Sequence, residues 1–296
     1  MTLPVWRSML FVPALNDRFI EGAPRRGADC IQIDLEDSIP PEFKDRARDR
    51  VPAAAAQLAS HGLDVVVRIN RPWRIAIRDL EASVGPHVMA INLPKVPNAA
   101  HVRAVSEILD DLESGAGLPV GHTRLVVMIE TAEGLLDMPA IAAASPRVVA
   151  LTIGAEDLAA SMGMQPIEDA LYVPNVQAVA AARAAGILPI GYVGTVAHYA
   201  DRDAFRRTAE RARNLGFAGG FCIHPDQVPI VNAAFSPRAE EVEAANQLIA
   251  AYAAAQAEGR GAIAYKGQMV DQPVIDRARH LLQRHAAVEE RQNRKP

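Results

Sequence analysis

Short apolar runs alternate with longer amphipathic segments along this chain, and few architectures accept that rhythm. Eight runs have the length and character of buried strands: residues 9–12, 30–34, 65–69, 88–93, 125–129, 148–153, 188–193 and 221–223. A continuous apolar run describes a strand covered on both faces, which is the condition of a parallel sheet flanked by helices. The pattern therefore predicts repeated βα units. Eight of them predict an α/β fold of the (β/α)8 TIM-barrel type, with an open doubly wound sheet as the alternative. Helices are expected over residues 17–26, 41–60, 99–112, 134–144, 168–185 and 201–215. Asn16 or Asp17 and Asp201 stand as caps, and Gly27, Gly186 and Gly216 fall where helix ends want a left-handed residue.

The rhythm changes after Phe235-Ser236-Pro237. Residues 238–258 are rich in Ala and Glu and read as one long helix, Gly259-Arg260-Gly261 breaks it, and a last helix follows Pro273. No strand is expected there. The division is thus a barrel over residues 1–235 and a C-terminal helical extension over 236–296, ending in a frayed tail from Glu289. Half the residues are hydrophobic, enough for a large core, while a net charge of -4 and a pI near 6.1 give no electrostatic footprint for nucleic acid. Cys30 and Cys222 lie inside apolar runs and are expected to pack as small hydrophobes. The opening Met1-Thr-Leu-Pro-Val-Trp-Arg-Ser8 has no signal-peptide pattern, and no apolar run approaches the ~20 residues of a membrane span. A cytoplasmic protein is expected.

Carboxylates follow two of the apolar runs: Glu130 closes Leu125-Val-Val-Met-Ile-Glu130, and Asp157 comes after Thr152-Ile-Gly-Ala-Glu-Asp157. The C-terminal ends of barrel strands are where such a fold keeps its chemistry. One acid alone would be a loop residue or a helix cap, and Glu130 does precede Thr131, itself a good cap. Two on neighbouring strands would repel unless a cation lay between them. Mg²⁺ suits the pair, because it takes one or two carboxylates and leaves its other positions to water and substrate oxygens. No His or Cys spacing typical of zinc is present. Arg68 ends Val65-Val-Val-Arg68 and needs an anion, either a structural partner among Asp34, Glu36 and Asp37 or a substrate carboxylate or enolate oxygen. Those three acids are expected to hold the waters around the metal, with a solvated turn as the plainer alternative.

Several ordered motifs now carry a resemblance. Arg7-Ser-Met-Leu-Phe-Val-Pro13, Gln32-Ile-Asp-Leu-Glu-Asp-Ser38, Val67-Arg-Ile-Asn70, Leu93-Pro-Lys-Val96, Ile129-Glu-Thr-Ala-Glu-Gly134, Gly154-Ala-Glu-Asp-Leu158 and Cys222-Ile-His-Pro225 resemble the citrate lyase beta-subunit-like family, which groups with malyl-CoA and citramalyl-CoA lyases. The likeness runs from Arg7 to about Leu281. It implies a trimeric or hexameric (β/α)8 barrel that uses Mg²⁺ to break or form a carbon–carbon bond beside a CoA thioester, giving or consuming a 2-oxo acid. Carried over by position, the metal ligands fall on Glu130 and Asp157, and the substrate arginine on Arg68. Gly267-Gln-Met-Val-Asp271-Gln-Pro273 matches the family segment that delivers a catalytic acid to a neighbouring subunit, so that acid falls on Asp271. Arg18, ahead of Arg25, Arg26 and Lys95, is the expected partner of the CoA diphosphate, and His224 matches a residue near the pantetheine end.

The chain departs from the family in two places. The seventh strand, Pro189-Ile-Gly-Tyr-Val-Gly-Thr195, has Gly191 where an acid is usual and brings Tyr192 toward the barrel mouth; the first loop has Ala14 where glycine is usual. Two other activities therefore stay open beside the lyase: thioester hydrolysis, and an aldolase acting on free 2-oxo acids. The second is disfavoured because no histidine follows an early strand.

Overall fold

The computed structural model describes residues 3–194 and 201–293, so Thr195 of the seventh-strand motif and the last three residues of the tail lie outside the described residues. Two compact units are present, Met1–Phe235 and Ser236–Pro296. The first holds eight parallel strands: β1 (Ser8–Pro13), β2 (Cys30–Asp34), β3 (Asp64–Arg68), β4 (Ala90–Leu93), β5 (Arg124–Ile129), β6 (Val148–Ile153), β7 (Leu188–Pro189) and β8 (Gly220–Cys222). Their order is β7-β6-β5-β4-β3-β2-β1-β8, an α/β fold in which each strand from β2 to β7 lies beside its sequence neighbour. Beyond the two edge strands, Ile190 forms an isolated parallel bridge to Gly219. Gly191 N–H donates to the Gly219 carbonyl at 2.9 Å and Ala218 N–H to the Pro189 carbonyl at 2.8 Å.

Strand pleating sorts the side chains into two cores. Ile31, Ile33, Val65, Val67, Ile91 and Val127 join a large cluster that includes the helix residues Val51, Leu58, Leu80 and Leu109. The alternate positions, Met9, Cys30, Val66, Ala90, Val126 and Ala150, form a smaller cluster with Trp6 and Phe221. Asp34 and Arg68 fall on the same face of their strands as Cys30 and Val66, four and two residues along, and the register sets Asp34 beside Arg68. Both cysteines are buried.

Between the strands run α1 (Asp17–Gly22), α2 (Lys44–Ala59), α3 (Trp73–Ser83), α4 (Ala99–Gly115), α5 (Ala132–Leu136), α6 (Met138–Ala142), α7 (Ala155–Met162), α8 (Glu168–Ala184), α9 (Arg202–Asn214) and α10 (Gln227–Ala234). Asn16 and Asp201 cap α1 and α9 through their side-chain oxygens. Gly27, Gly186 and Gly216 have φ of 74°, 70° and 102°, as their places after helices require. Several expectations need correction. The first helix stops at Gly22, and Pro24 turns the chain into a short 3₁₀ segment, Ala23–Arg26. Residues 134–144 form two helices broken at Asp137, each only five residues long. Three helices, α3, α7 and α10, were not anticipated. The seventh strand is only two residues long; its pairing passes to the single bridge at Ile190, and Gly191 follows with a φ of 146°.

The second unit contains α11 (Ala239–Ala257), β9 (Ile263–Tyr265), β10 (Gln268–Val270) and α12 (Gln272–Asn293). The antiparallel β9–β10 hairpin overturns the expectation of a strand-free tail. Lys266 and Gly267 form its two-residue turn with φ of 47° and 79°, the left-handed pair that a hairpin of this length favours. Tyr252, Val270 and Ile275 make a small core of their own. Among the described residues no helix is long and apolar enough to cross a membrane.

Candidate active site

Asp34 ends β2, Arg68 ends β3 and Glu130 follows β5, so three strand ends bring their charges to one side of the sheet. All three line a cavity of about 780 Å³ together with Phe11, Arg18 and Asp157. Asp157 is the third residue of α7 and not the end of a strand, because β6 already stops at Ile153.

Arg68 is almost enclosed. Its Nε and Nη2 donate to the two carboxylate oxygens of Asp34 at 2.7 and 2.9 Å, while Nη1 lies 2.8 Å from Glu36 and 3.2 Å from Asp37. The guanidinium also sits 4.9 Å from the centre of the Phe11 ring. All three structural partners considered for Arg68 are thus present, and the side chain still faces the cavity. Burial alone would raise the Asp34 pKa, but the hydrogen bond and charge of Arg68 outweigh it and hold the carboxyl below its usual range. The Glu36 and Ser38 amides also donate to Asp34, so the acidic turn is wound around that carboxylate. Lys44 anchors the turn from behind, its Nζ donating to the carbonyls of Leu35 and Glu36.

Glu130 has a different environment. Only 2% of it is exposed, and burial, followed by the charge of Glu36, raises its pKa to about 7. One oxygen accepts the Lys95 backbone N–H at 2.7 Å. The carboxylate rests against Gly154, where an added Cβ would lie 2.3 Å from Oε1. Backbone conformation does not require glycine there, since φ is -86°. Gly154→Ala is therefore expected to displace Glu130 at a cost of about 1–3 kcal/mol, weakening divalent-cation binding roughly tenfold or more. Calorimetric titration with Mg²⁺ checks this; unchanged affinity would show that Glu130 can retreat freely.

Lys95 is the main correction to the sequence reading. Proposed as a partner for CoA phosphates, it is bound instead to the acids, with Nζ 2.9 Å from Glu36 and 3.3 Å from Asp157. Its motif was legible, but its role depends on a left-handed backbone, φ 50°, that apolar periodicity does not report. Arg71 Nε donates to its carbonyl at 3.1 Å and so braces that turn.

The remaining candidates separate. Arg18 and Arg26 are exposed and line the cavity, whereas Arg25 is exposed and does not. His224 also lines it, with its side chain 42% exposed and its Nδ1 accepting the Asp226 N–H, so it is not a core histidine. Tyr192 does not present its hydroxyl to a ligand. The ring is buried against Phe205 and Phe235, its hydroxyl donates to the Phe221 carbonyl at 3.0 Å, and Gly220 leaves room for it. Gly191 has the φ noted above, so the acid usual in the family would need a different backbone. Asp271 lies in the second unit between β10 and α12, and its carbonyl accepts the N–H groups of Val274 and Ile275.

Among the described residues no three His, Cys, Asp or Glu side chains form a ready metal cage. Two carboxylates, one of them buried and reluctant to ionise, nevertheless suit a hard divalent cation that fills its shell with water and substrate oxygens.

Comparison with known proteins agrees with this chemistry. The model of the HpcH/HpaI aldolase/citrate lyase family matches residues 7–225. The chain is 36% identical over 280 residues to citrate lyase subunit beta of Leuconostoc mesenteroides subsp. cremoris, covering 93% of this chain and 92% of that one. It is 36% identical over 297 residues to L-malyl-CoA/beta-methylmalyl-CoA lyase of Cereibacter sphaeroides, covering 92% of each. Among solved structures, protein CitE from Mycobacterium tuberculosis in complex with magnesium, acetoacetate and coenzyme A is 30% identical, with a TM-score of 0.72 over 96% of this chain and 99% of that one.

Proposed function

Because this chain belongs to the HpcH/HpaI aldolase/citrate lyase family, we propose that it is a Mg²⁺-dependent carbon–carbon lyase acting on a carboxylated 3-hydroxyacyl-CoA. Malyl-, citramalyl- and citryl-CoA are the candidate substrates, split into a 2-oxo acid and an acyl-CoA or formed from them. The observation that carries this reading is the meeting of Arg68, Glu130 and Asp157 in one cavity. The malyl-CoA lyase relative, and the tuberculosis protein solved with magnesium and coenzyme A, support the thioester and the metal.

Glu130 and Asp157 would hold the cation, which when bound supplies Lewis acidity and neutralises charge on the substrate oxygens. Arg68 stabilises the developing enolate oxygen of the thioester, pre-oriented by its fork on Asp34. The substrate hydroxyl gives its proton to a solvent water, the bond between the hydroxyl carbon and the thioester α-carbon breaks, and its electron pair becomes the enolate. Asp271 of a neighbouring subunit then gives the α-carbon a proton, or removes one in the condensing direction. Glu36 and Asp37 would hold water around the cation. Arg18, with Arg26, meets the CoA diphosphate at the mouth. The sheet closes as a (β/α)8 barrel, a reading supported by the bridge between Ile190 and Gly219. The second unit is its extension in a homotrimer or hexamer, and the enzyme works in the cytoplasm.

The test is turnover of malyl-, citramalyl-, citryl- and 3-methylmalyl-CoA with Mg²⁺ or EDTA, following both products by mass spectrometry. EDTA-sensitive release of a 2-oxo acid and an acyl-CoA, lost in Asp271→Ala, is the expected result. Free CoA alone would replace the lyase with a thioesterase, and no reaction with any thioester would favour an aldolase on free 2-oxo acids.

A further inference from the structure

The Lys95 ammonium reaches two acids that come from different parts of the chain. Glu36 belongs to the turn after β2, and Asp157 to the first turn of α7. The same residue's backbone N–H holds Glu130. Side chain and backbone therefore do different things. The backbone contact fixes where Glu130 points, and it is secured by Arg71 on the Lys95 carbonyl and by Val96 N–H on the Met128 carbonyl at 3.2 Å. The side chain supplies a positive charge, and it sits on a carboxylate that the proposed reaction gives to a divalent cation.

Any cation that takes Asp157 as a ligand must share that carboxylate with Lys95 or displace it. Like charges in a partly enclosed site repel strongly, because little water screens them. From this geometry we infer that Lys95 is a resident counter-ion that occupies the acid cluster before the metal arrives and sets how tightly the metal is held. It is a positioning residue in its backbone and an affinity-setting residue in its side chain. The inference rests on the metal site of the proposed function, but not on the reaction.

Lys95→Met separates the two roles, since it removes the charge and keeps the backbone N–H that Glu130 accepts. Asp157 keeps its place in the first turn of α7. Mn²⁺ binding to the full chain, followed by electron paramagnetic resonance without substrate, is expected to be about tenfold or more tighter in Lys95→Met than in the wild type. Lys95→Arg, which retains the charge, is expected to stay within about threefold of the wild type. Lys95→Gln repeats the neutral test should Lys95→Met not melt cooperatively. Equal or weaker binding in the neutral variants would overturn the counter-ion role. Absence of Mn²⁺ binding in the wild type would overturn it together with the metal site. A tighter neutral variant alongside a failed thioester panel would uphold the role of Lys95 and remove only the reaction.

Discussion

Arg68→Met is expected to unfold more readily than the wild type by about 3–5 kcal/mol at neutral pH, and to lose about a thousandfold in turnover. The stability loss follows from what the guanidinium leaves behind. Asp34 is 2% exposed and Glu36 7%, so removing Arg68 strands the buried Asp34 carboxylate and leaves Glu36 with Lys95 as its remaining ion-pair partner, while Asp37 remains in solvent. The dependence on pH has a definite sign. Asp34 has a folded pKa below its ordinary 3.8, so its contribution is present above that value and is lost as pH falls through the lower, folded one. Without Arg68 that contribution becomes a penalty, which protonation relieves. The gap between wild type and variant should therefore be widest at about pH 7 and narrow below about pH 4, as measured by urea denaturation. Arg68→Lys is expected to recover part of the stability and little of the turnover, because an ammonium cannot reproduce the two-oxygen fork. A gap independent of pH would mean that packing against Phe11, not charge, explains the loss.

Glu130→Gln should behave in the opposite way, becoming more stable as it becomes inactive. In the unfolded chain this carboxyl ionises near 4.5, and in the metal-free fold near about 7. Between those values the folded state retains a proton that the unfolded state has released. Stability consequently falls as pH rises through that window, and above it the full penalty stands, about 3 kcal/mol. Glutamine removes the penalty and can still accept the Lys95 N–H. In EDTA at about pH 8 the variant is expected to melt several degrees above the wild type, with turnover reduced about a thousandfold. Mg²⁺ should restore the wild type and leave the variant unmoved. Equal melting in EDTA would mean that water or a rearranged Lys95 relieves the buried charge.

Much of this arrangement is written in local pattern. Parallel strands covered on both faces read as apolar runs, so β2 and β6 were located to the residue, and Arg68 stands out because three valines precede it. Glu130 is legible for the same reason. Asp157 was singled out, yet its position on a helix was not, because α7 is eight residues long and starts right after Gly154 with no side-chain cap. The β9–β10 hairpin escapes a pattern reading because its strands are three residues long and only Val270 of the six is buried, leaving Lys266-Gly267 as the one strong signal. Lys95 could be seen but not understood. Its contacts join four separate stretches of chain, and no local periodicity encodes such a meeting.

Arg18, Arg26 and Asp226 line the cavity from other parts of the chain, but the cluster of ion pairs beside it comes from one stretch. Asp34, Glu36, Asp37, Arg68, Lys95, Glu130 and Asp157 all come from the run of chain spanning β2 to α7. From the segment after β7, and from β8 and β1, the wall receives Tyr192, Phe221 and Phe11, with the Phe11 and Phe221 rings 5.3 Å apart. Of the departures from the family pattern, Gly191 and Tyr192 fall on this second sector, while Ala14 is buried in the core and does not line the cavity. A change at Tyr192 or Phe221 would therefore leave the ion pairs among Arg68, Asp34, Glu36, Lys95 and Asp157 in place, whereas Phe11, 4.9 Å from the Arg68 guanidinium, is tied to them.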